Sequence, residues 1–185
     1  MQASDKAALR RQVRADFDPA ARDAQSAAIC RHVLDWEPYR SSQVLGAYMP
    51  MKHEADITPL LVHALQSGKT LALPRCAQPP VMTFHRVCSL DELTPGAYGL
   101  LEPSPDAPLI APEEIDLLLT PLEAIDRSGM RLGKGGGYYD CLLGRCSIPT
   151  LGVVLSWQWT EQVHPQSWDK PLNAAADARG IHLFD

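Results

Sequence analysis

The strongest constraint on how this chain folds is an alternation of short apolar runs, each closed by turn residues, with segments of helical spacing. Val44-Leu45-Gly46-Ala47-Tyr48-Met49, Thr70-Leu71-Ala72-Leu73, Ile115-Asp116-Leu117-Leu118-Leu119 and Thr150–Leu155 read as buried strands. Val81–Val87 alternates as a half-exposed strand does, and Ile181–Phe184 reads as a last one. Between them, Leu9, Val13 and Phe17 recur at i+4 behind Ser4 as a cap. Asp18-Pro19 opens a second helix that buries Ala27, Ile29, Cys30, Val33 and Leu34 and stops at Pro38. Asp56 caps a helix ending near Gly68, Pro74 closes the second strand, and Tyr138–Arg145 reads as a short helix. The segment Thr94–Pro108 is turn-rich without clear periodicity, and Asp126-Arg127-Ser128-Gly129 is a turn. Strands alternating with helices predict an α/β fold with a largely parallel sheet. With 185 residues and no shift in composition along the chain, one domain over 1–185 is expected.

Several function classes drop out early. The formal net charge of −5 argues against general nucleic-acid binding, which usually shows a basic excess. No apolar run approaches the ~20 residues of a membrane span. The charged N-terminal stretch MQASDKAALRRQVRADF has no apolar signal-peptide centre, so the expected compartment is the cytoplasm. Cys30, Cys76, Cys88, Cys141 and Cys146 are odd in number and contain no CxxC pair, which indicates neither a disulfide framework nor a thiolate zinc site. The six histidines (32, 53, 63, 85, 164 and 182) show no metal-ligand spacing, and His53 beside Glu54 reads as a chance neighbour.

The chemistry is concentrated in Arg131-Leu132-Gly133-Lys134-Gly135-Gly136-Gly137-Tyr138-Tyr139-Asp140. Four glycines within five residues leave the backbone free to reach positive φ and to approach a ligand closely. Successive N–H groups in such a turn form an anion-binding nest, and a helix start behind it adds its positive end. Arg131 and Lys134 add full positive charge. Asp140 is placed to hold a metal that phosphates also hold, since magnesium is commonly bound by one or two carboxylates plus phosphate oxygens. The stretch is not a Walker A motif: Gly129 and Gly133 are separated by three residues, and Gly135 follows the lysine where Ser or Thr is needed. Nor is it a dinucleotide fingerprint, because counting from Gly133 places Tyr138 at the last glycine position. Most glycine runs are only flexible turns. The flanking Arg, Lys, paired tyrosines and Asp weigh against that reading here.

The stretch Arg131–Asp140 resembles the R-L-G-x-G-x-G-Y-Y-D signature of the 5-formyltetrahydrofolate cyclo-ligase family. The resemblance runs from Lys6 to about Asp177 through Lys6-Ala7-Ala8-Leu9-Arg10, the acidic segment Met49–Thr58, Leu73-Pro74-Arg75 and the G-x-x-E-P element Gly99–Pro103, in the family's order. It implies a single-domain, three-layer α/β/α, Rossmann-like fold. It also implies conversion of 5-formyltetrahydrofolate to 5,10-methenyltetrahydrofolate with ATP and Mg²⁺, by phosphorylation of the formyl oxygen and ring closure.

Carried over by resemblance, Lys6, Arg10, Arg131, Leu132, Gly133, Lys134, Gly135, Gly136, Gly137, Tyr138 and Tyr139 contact ATP. Met49, Glu54, Lys134, Gly135, Gly136, Gly137 and Tyr138 contact the folate, Arg131 and Lys134 act in catalysis, and Asp140 and Asp169 hold the metal. Taken alone, Glu54 reads as a surface loop acid, Met49 as core and Asp169 before Lys170 as a surface pair, while Arg14 stays a solvated basic residue. Arg75 is expected to pair with a phosphate or with developing charge, or simply to end a strand in solvent. Gly136 stands where some relatives have lysine, Cys141 where arginine is frequent, and Asn173 where an acid often occurs. The implied partners are small molecules, with neither nucleic acid nor membrane, and the expected assembly is a monomer or weak homodimer. A sugar-phosphate isomerase or acyl-CoA transferase on a related fold, or a non-catalytic nucleotide or folate sensor, are the competing readings.

Overall fold

The computed structural model describes residues 3–96, 99–163, 165–167 and 169–184. The first helix, α1 (Ala3–Ala15), turns Leu9 and Val13 toward Ala124, Leu132 and Val163, as their spacing predicts. Ser4 falls inside this helix rather than ahead of it, and its side chain is outside the described residues, as are His164 and Trp168. Next, α2 (Pro19–Asp35) is capped as expected: Asp18 Oδ1 accepts from the N–H groups of Ala20 at 2.9 Å and Ala21 at 3.2 Å, with Pro19 in the first turn. Pro38 does more than end this helix. It sits in the first turn of a short α3 (Glu37–Ser41), where its missing N–H costs nothing.

The next elements are β1 (Val44–Gly46), α4 (Thr58–Gln66), β2 (Thr70–Cys76) and β3 (Met82–Val87). They are followed by β4 (Thr94–Pro95), β5 (Leu101–Glu102), β6 (Leu109–Ile110) and β7 (Leu117–Thr120). The chain closes with β8 (Ala124–Ile125), β9 (Arg131–Leu132), α5 (Tyr138–Leu143), β10 (Thr150–Val153), β11 (Ala174–Asp177) and β12 (Gly180–Leu183). One sheet of eight strands runs β12-β11-β10-β7-β1-β2-β3-β6. Its five central strands are parallel, and β12, β3 and β6 pair antiparallel at the edges. The fold is thus α/β with a mostly parallel central sheet, as the alternation predicts.

Both faces of that sheet are covered. Leu71, Leu73, Leu117, Leu119, Leu151 and Val153 join Ile29, Val33, Leu60 and Leu61 of α2 and α4 in one core. Their strand neighbours Ala72 and Leu118 face the other way, with Tyr139, Leu142 and Leu143 of α5 packed against them. No helix among the described residues is long and apolar enough to cross a membrane.

β2 and β11 depart from expectation for reasons the neighbouring strands supply. β2 runs through Pro74 to Cys76 instead of stopping there. Ala72 accepts a hydrogen bond from Ala47 on the β1 side, so two residues on, Pro74 turns its missing N–H toward the same side, past the end of β1, where no ladder bond is lost. β11 is absent from the sequence reading, because Ala174-Ala175-Ala176 carries no β-branched or aromatic signal.

The turn between β11 and β12 is built on Asp177, whose Oδ1 accepts from Arg179 N at 2.8 Å and Gly180 N at 3.2 Å. Its Oδ2 lies 3.1 Å from the Trp159 indole nitrogen and 2.9 Å from His182 Nε2. Burial pulls this carboxyl upward, but His182, the Arg179 N–H and the Trp159 indole outweigh it and leave the pKa below its ordinary value. A carboxylate held low in the folded state contributes stability above the ordinary carboxylate range and loses it as pH falls through the folded value. Asp177→Asn is therefore expected to lower the urea midpoint at pH 7, with the gap to the parent narrowing as pH falls below the ordinary carboxylate range. A gap that stays unchanged as pH falls contradicts this.

Candidate functional site

From β1 the chain passes through α4 to β2 on one side, whereas β7, on β1's other side, leads away to β10 and β11. The carboxyl ends of β1 and β7 thus flank a topological switch point, where open α/β sheets leave a crevice. The cavity is there. It measures about 320 Å³ and is walled by Tyr48 and Met49 after β1, Pro74 and Cys76 at the end of β2, and Pro121 and Leu122 after β7. The glycine loop and Tyr138, Tyr139 and Asp140 close it from above, together with Met51 and Glu54.

The loop is placed by its two ends. Before it, Asp126 organises the β8–β9 turn: its Oδ1 accepts from Ser128 N, Ser128 Oγ and Met130 N, and its Oδ2 from Val163 N at 2.9 Å. β9 then buries Leu132 between α1 and Val163, so this side chain points away from the cavity. After it, Gly137 (φ +71°) leads into α5, and Gly135 stands at φ +105°, left-handed conformations that non-glycine residues rarely adopt. From α1, Arg10 Nε donates to Gly133 O at 2.8 Å and its guanidinium lies over Gly135. Among the described residues, no N–H of 133–137 donates to a protein acceptor, which leaves a run of donors on a loop that lines the cavity. Since α5 has only six residues, its dipole adds little, and the features suited to an anion are the loop N–H groups and the nearby cations.

Arg131 is buried, and its Nη2 donates to Asp140 Oδ1 at 2.8 Å. Burial lowers its pKa, opposed by Asp140, Tyr139 and Asp169, so both expected metal carboxylates face this one guanidinium. Its Nε has no partner. Asp169 accepts from Lys6 Nζ at 3.3 Å and from Gln166 N at 2.8 Å. Lys6 therefore serves the carboxylate and does not reach into the cavity. Arg14 lies outside the site, pairing with Glu123 at 3.1 Å. Across the cavity, Lys134 Nζ meets Glu54 Oε1 at 2.6 Å and Met51 Sδ, while Glu54 Oε2 accepts from Met51 N at 2.7 Å. Burial pushes the Tyr48 and Tyr139 hydroxyls well above their ordinary range, with Glu54 adding to both, so both stay protonated as donors. Tyr138 OH donates to Ala77 O at 2.9 Å.

Among the described residues, no group of three or more His, Cys, Asp or Glu side chains could cage a metal. A divalent cation that keeps phosphate oxygens and water as its other ligands needs only one or two carboxylates. Asp140, about a third exposed on the cavity wall, suits that role.

The sequence reading did not assign one further wall. Met82, Leu100, Leu101, Cys76 and Glu102 also line the cavity. Glu102 is buried; its Oε1 accepts the Cys76 N–H at 3.2 Å, taking the place of the strand partner that ends with β1. Its Oε2 lies 3.5 Å from Arg75, whose Nη1 donates to Pro103 O at 2.8 Å, which keeps Arg75 tied to this wall. Burial, with Glu102 beside it, pushes the Cys76 thiol up to about 11, so it is unreactive at neutral pH. The G-x-x-E-P spacing was the available signal for Glu102.

A model of the 5-formyltetrahydrofolate cyclo-ligase family matches residues 2–177. A 5-formyltetrahydrofolate cyclo-ligase of Saccharomyces cerevisiae is 32% identical over 211 residues, covering 97% of this chain and 98% of the yeast protein. The mitochondrial 5-formyltetrahydrofolate cyclo-ligase of Arabidopsis thaliana is 34% identical over 145 residues, 70% of this chain, which spans about half (52%) of that relative. Among solved structures, the Aquifex aeolicus 5,10-methenyltetrahydrofolate synthetase superposes with a TM-score of 0.85 at 31% identity, covering 96% of this chain and 92% of that one.

Proposed function

The chain belongs to the 5-formyltetrahydrofolate cyclo-ligase family, and we propose that its cavity binds the folate while the glycine loop binds the phosphates of ATP. The protein is an enzyme that converts 5-formyltetrahydrofolate to 5,10-methenyltetrahydrofolate. The observation that carries the division of labour is the pairing of two unlike surfaces in one crevice. One is a largely apolar lining that includes the buried Glu54 carboxylate, and the other a loop whose N–H groups have no protein acceptor among the described residues, beside Arg131 and Lys134.

The amide-like formyl group is a poor electrophile with a poor leaving oxygen. Transfer of the γ-phosphoryl group to that oxygen makes it leave as phosphate. N10 then bonds to the formyl carbon, the C–O bond breaks and the N10 proton is released, closing the five-membered ring. Such a transfer depends on position and charge neutralisation rather than on a protein nucleophile. Met49 and Tyr48 flank the ring system, Glu54 accepts from its amine and ring N–H, and Tyr138 and Tyr139 stand between folate and loop. Arg131 and Lys134 face the transferred phosphoryl oxygens, and Arg10 fixes the loop from α1. Asp140 and Asp169 are the carboxylates that would hold Mg²⁺ here, and the ion would supply charge neutralisation at the phosphates.

The test follows one atom. With ¹⁸O in the formyl group, the label is expected in inorganic phosphate, one atom per methenyl group formed, with ADP as the other product. Label released into water, or AMP and pyrophosphate as products, contradicts this chemistry.

A further inference from the structure

The cavity is crossed by its own ion pair. Glu54 comes from the segment after β1 and Lys134 from the loop after β9, and both line the crevice. Their charged atoms stand 2.6 Å apart. Glu54 is buried, so its carboxylate depends on this ammonium and on the Met51 N–H, which holds the other oxygen at 2.7 Å. Lys134 is about a third exposed and lies in the glycine-rich stretch, with Met51 Sδ also against its ammonium. A flat ligand offering an amine and a ring N–H needs both carboxylate oxygens in one plane. It also needs the space that the lysine now spans. Of the two charges, the lysine is the one free to leave, because it sits on the loop that nucleotide phosphates would engage.

We propose that Lys134 is exchanged between the two substrates: the folate takes its place on Glu54 and releases its ammonium to the nucleotide phosphates. This rests on the assignment of the cavity to folate and the loop to ATP. Exchange makes binding cooperative. Nucleotide binding to the free protein must pull Lys134 off a buried carboxylate or do without it, whereas in the folate complex the lysine is already displaced. By linkage, the factor by which folate tightens nucleotide binding equals the factor by which nucleotide tightens folate binding.

Calorimetric titrations of the intact protein with 5-formyltetrahydrofolate and with Mg²⁺ plus a non-hydrolysable ATP analogue, each alone and each over the other, test this. In the parent protein we expect mutual tightening of roughly tenfold, within the range usual for such coupling. Lys134→Met is expected to abolish the coupling, to weaken the nucleotide, and to leave folate alone bound as tightly as in the parent or more tightly. The last sign is distinctive, since a lysine that merely touched the folate would weaken it when lost. Circular dichroism establishes that the variant is folded; should it fail to fold, the independent binding test in the parent protein still decides the matter. If both ligands bind the parent without affecting each other, or if Lys134→Met keeps the coupling, the exchange is wrong and the site assignment stands. If neither ligand binds the parent, the site assignment itself is wrong.

Discussion

Arg131→Gln is expected to lower kcat by about two to three powers of ten while leaving the thermal midpoint within a few degrees of the parent. The two halves of this expectation have different causes. Arg131 is buried at the junction of loop and cavity, with Nη2 on Asp140 and a partnerless Nε. A cation so placed costs desolvation when the protein folds and returns that cost when charge develops next to it. Glutamine keeps much of the length and removes the charge, so the folding cost is relieved while the contribution to phosphoryl transfer is lost. Steady-state kinetics with calorimetric melting separate the two. Near-parental turnover removes Arg131 from the chemistry. A large loss of stability makes it a structural residue.

Asp140→Asn is the complementary case, and its stability sign is opposite. Removing the carboxylate leaves the buried guanidinium with Asp169 as its remaining acidic neighbour. Breaking a buried pair by deleting one partner leaves an uncompensated charge. Because Asp140 is about a third exposed, the expected loss is below the figure for a fully buried pair, about 1–3 kcal/mol. Turnover is expected to fall at least a hundredfold and to require much more magnesium for what remains, since Asp140 is a proposed ligand of the metal. Magnesium titrations of the rate in parent and variant give the comparison. An unchanged magnesium requirement assigns the metal elsewhere.

The legible parts of this molecule are those in which the physics is local. Asp18 reaches N–H groups two and three residues away, and Leu117-Leu118-Leu119 is apolar on both faces because helices cover both. The glycine loop packs its donors, cations and carboxylate into ten consecutive residues. What the sequence hides is settled by distant neighbours. Pro74 continues a strand only because β1 has already ended beside it. β11 is a strand made of alanines because Ala174 and Ala176 face α2 while Ala175 faces Leu122, Val154 and Leu172, so small side chains let both layers close in. Glu102 crosses to the Cys76 N–H from another strand, and Lys134 reaches Glu54 from the loop after β9. No periodicity in the chain encodes either meeting. Lys6 and Asp169, carried over as an ATP contact and a metal ligand, pair with each other across 163 positions, and Leu132, inside the most informative motif, packs into the core beneath it.

The most direct test is to incubate the purified protein with 5-formyltetrahydrofolate and follow the absorbance of 5,10-methenyltetrahydrofolate with and without Mg-ATP. Product that accumulates only when Mg-ATP is present is the predicted result. Product formed equally without nucleotide, or no product from a folded protein that binds both ligands, contradicts it.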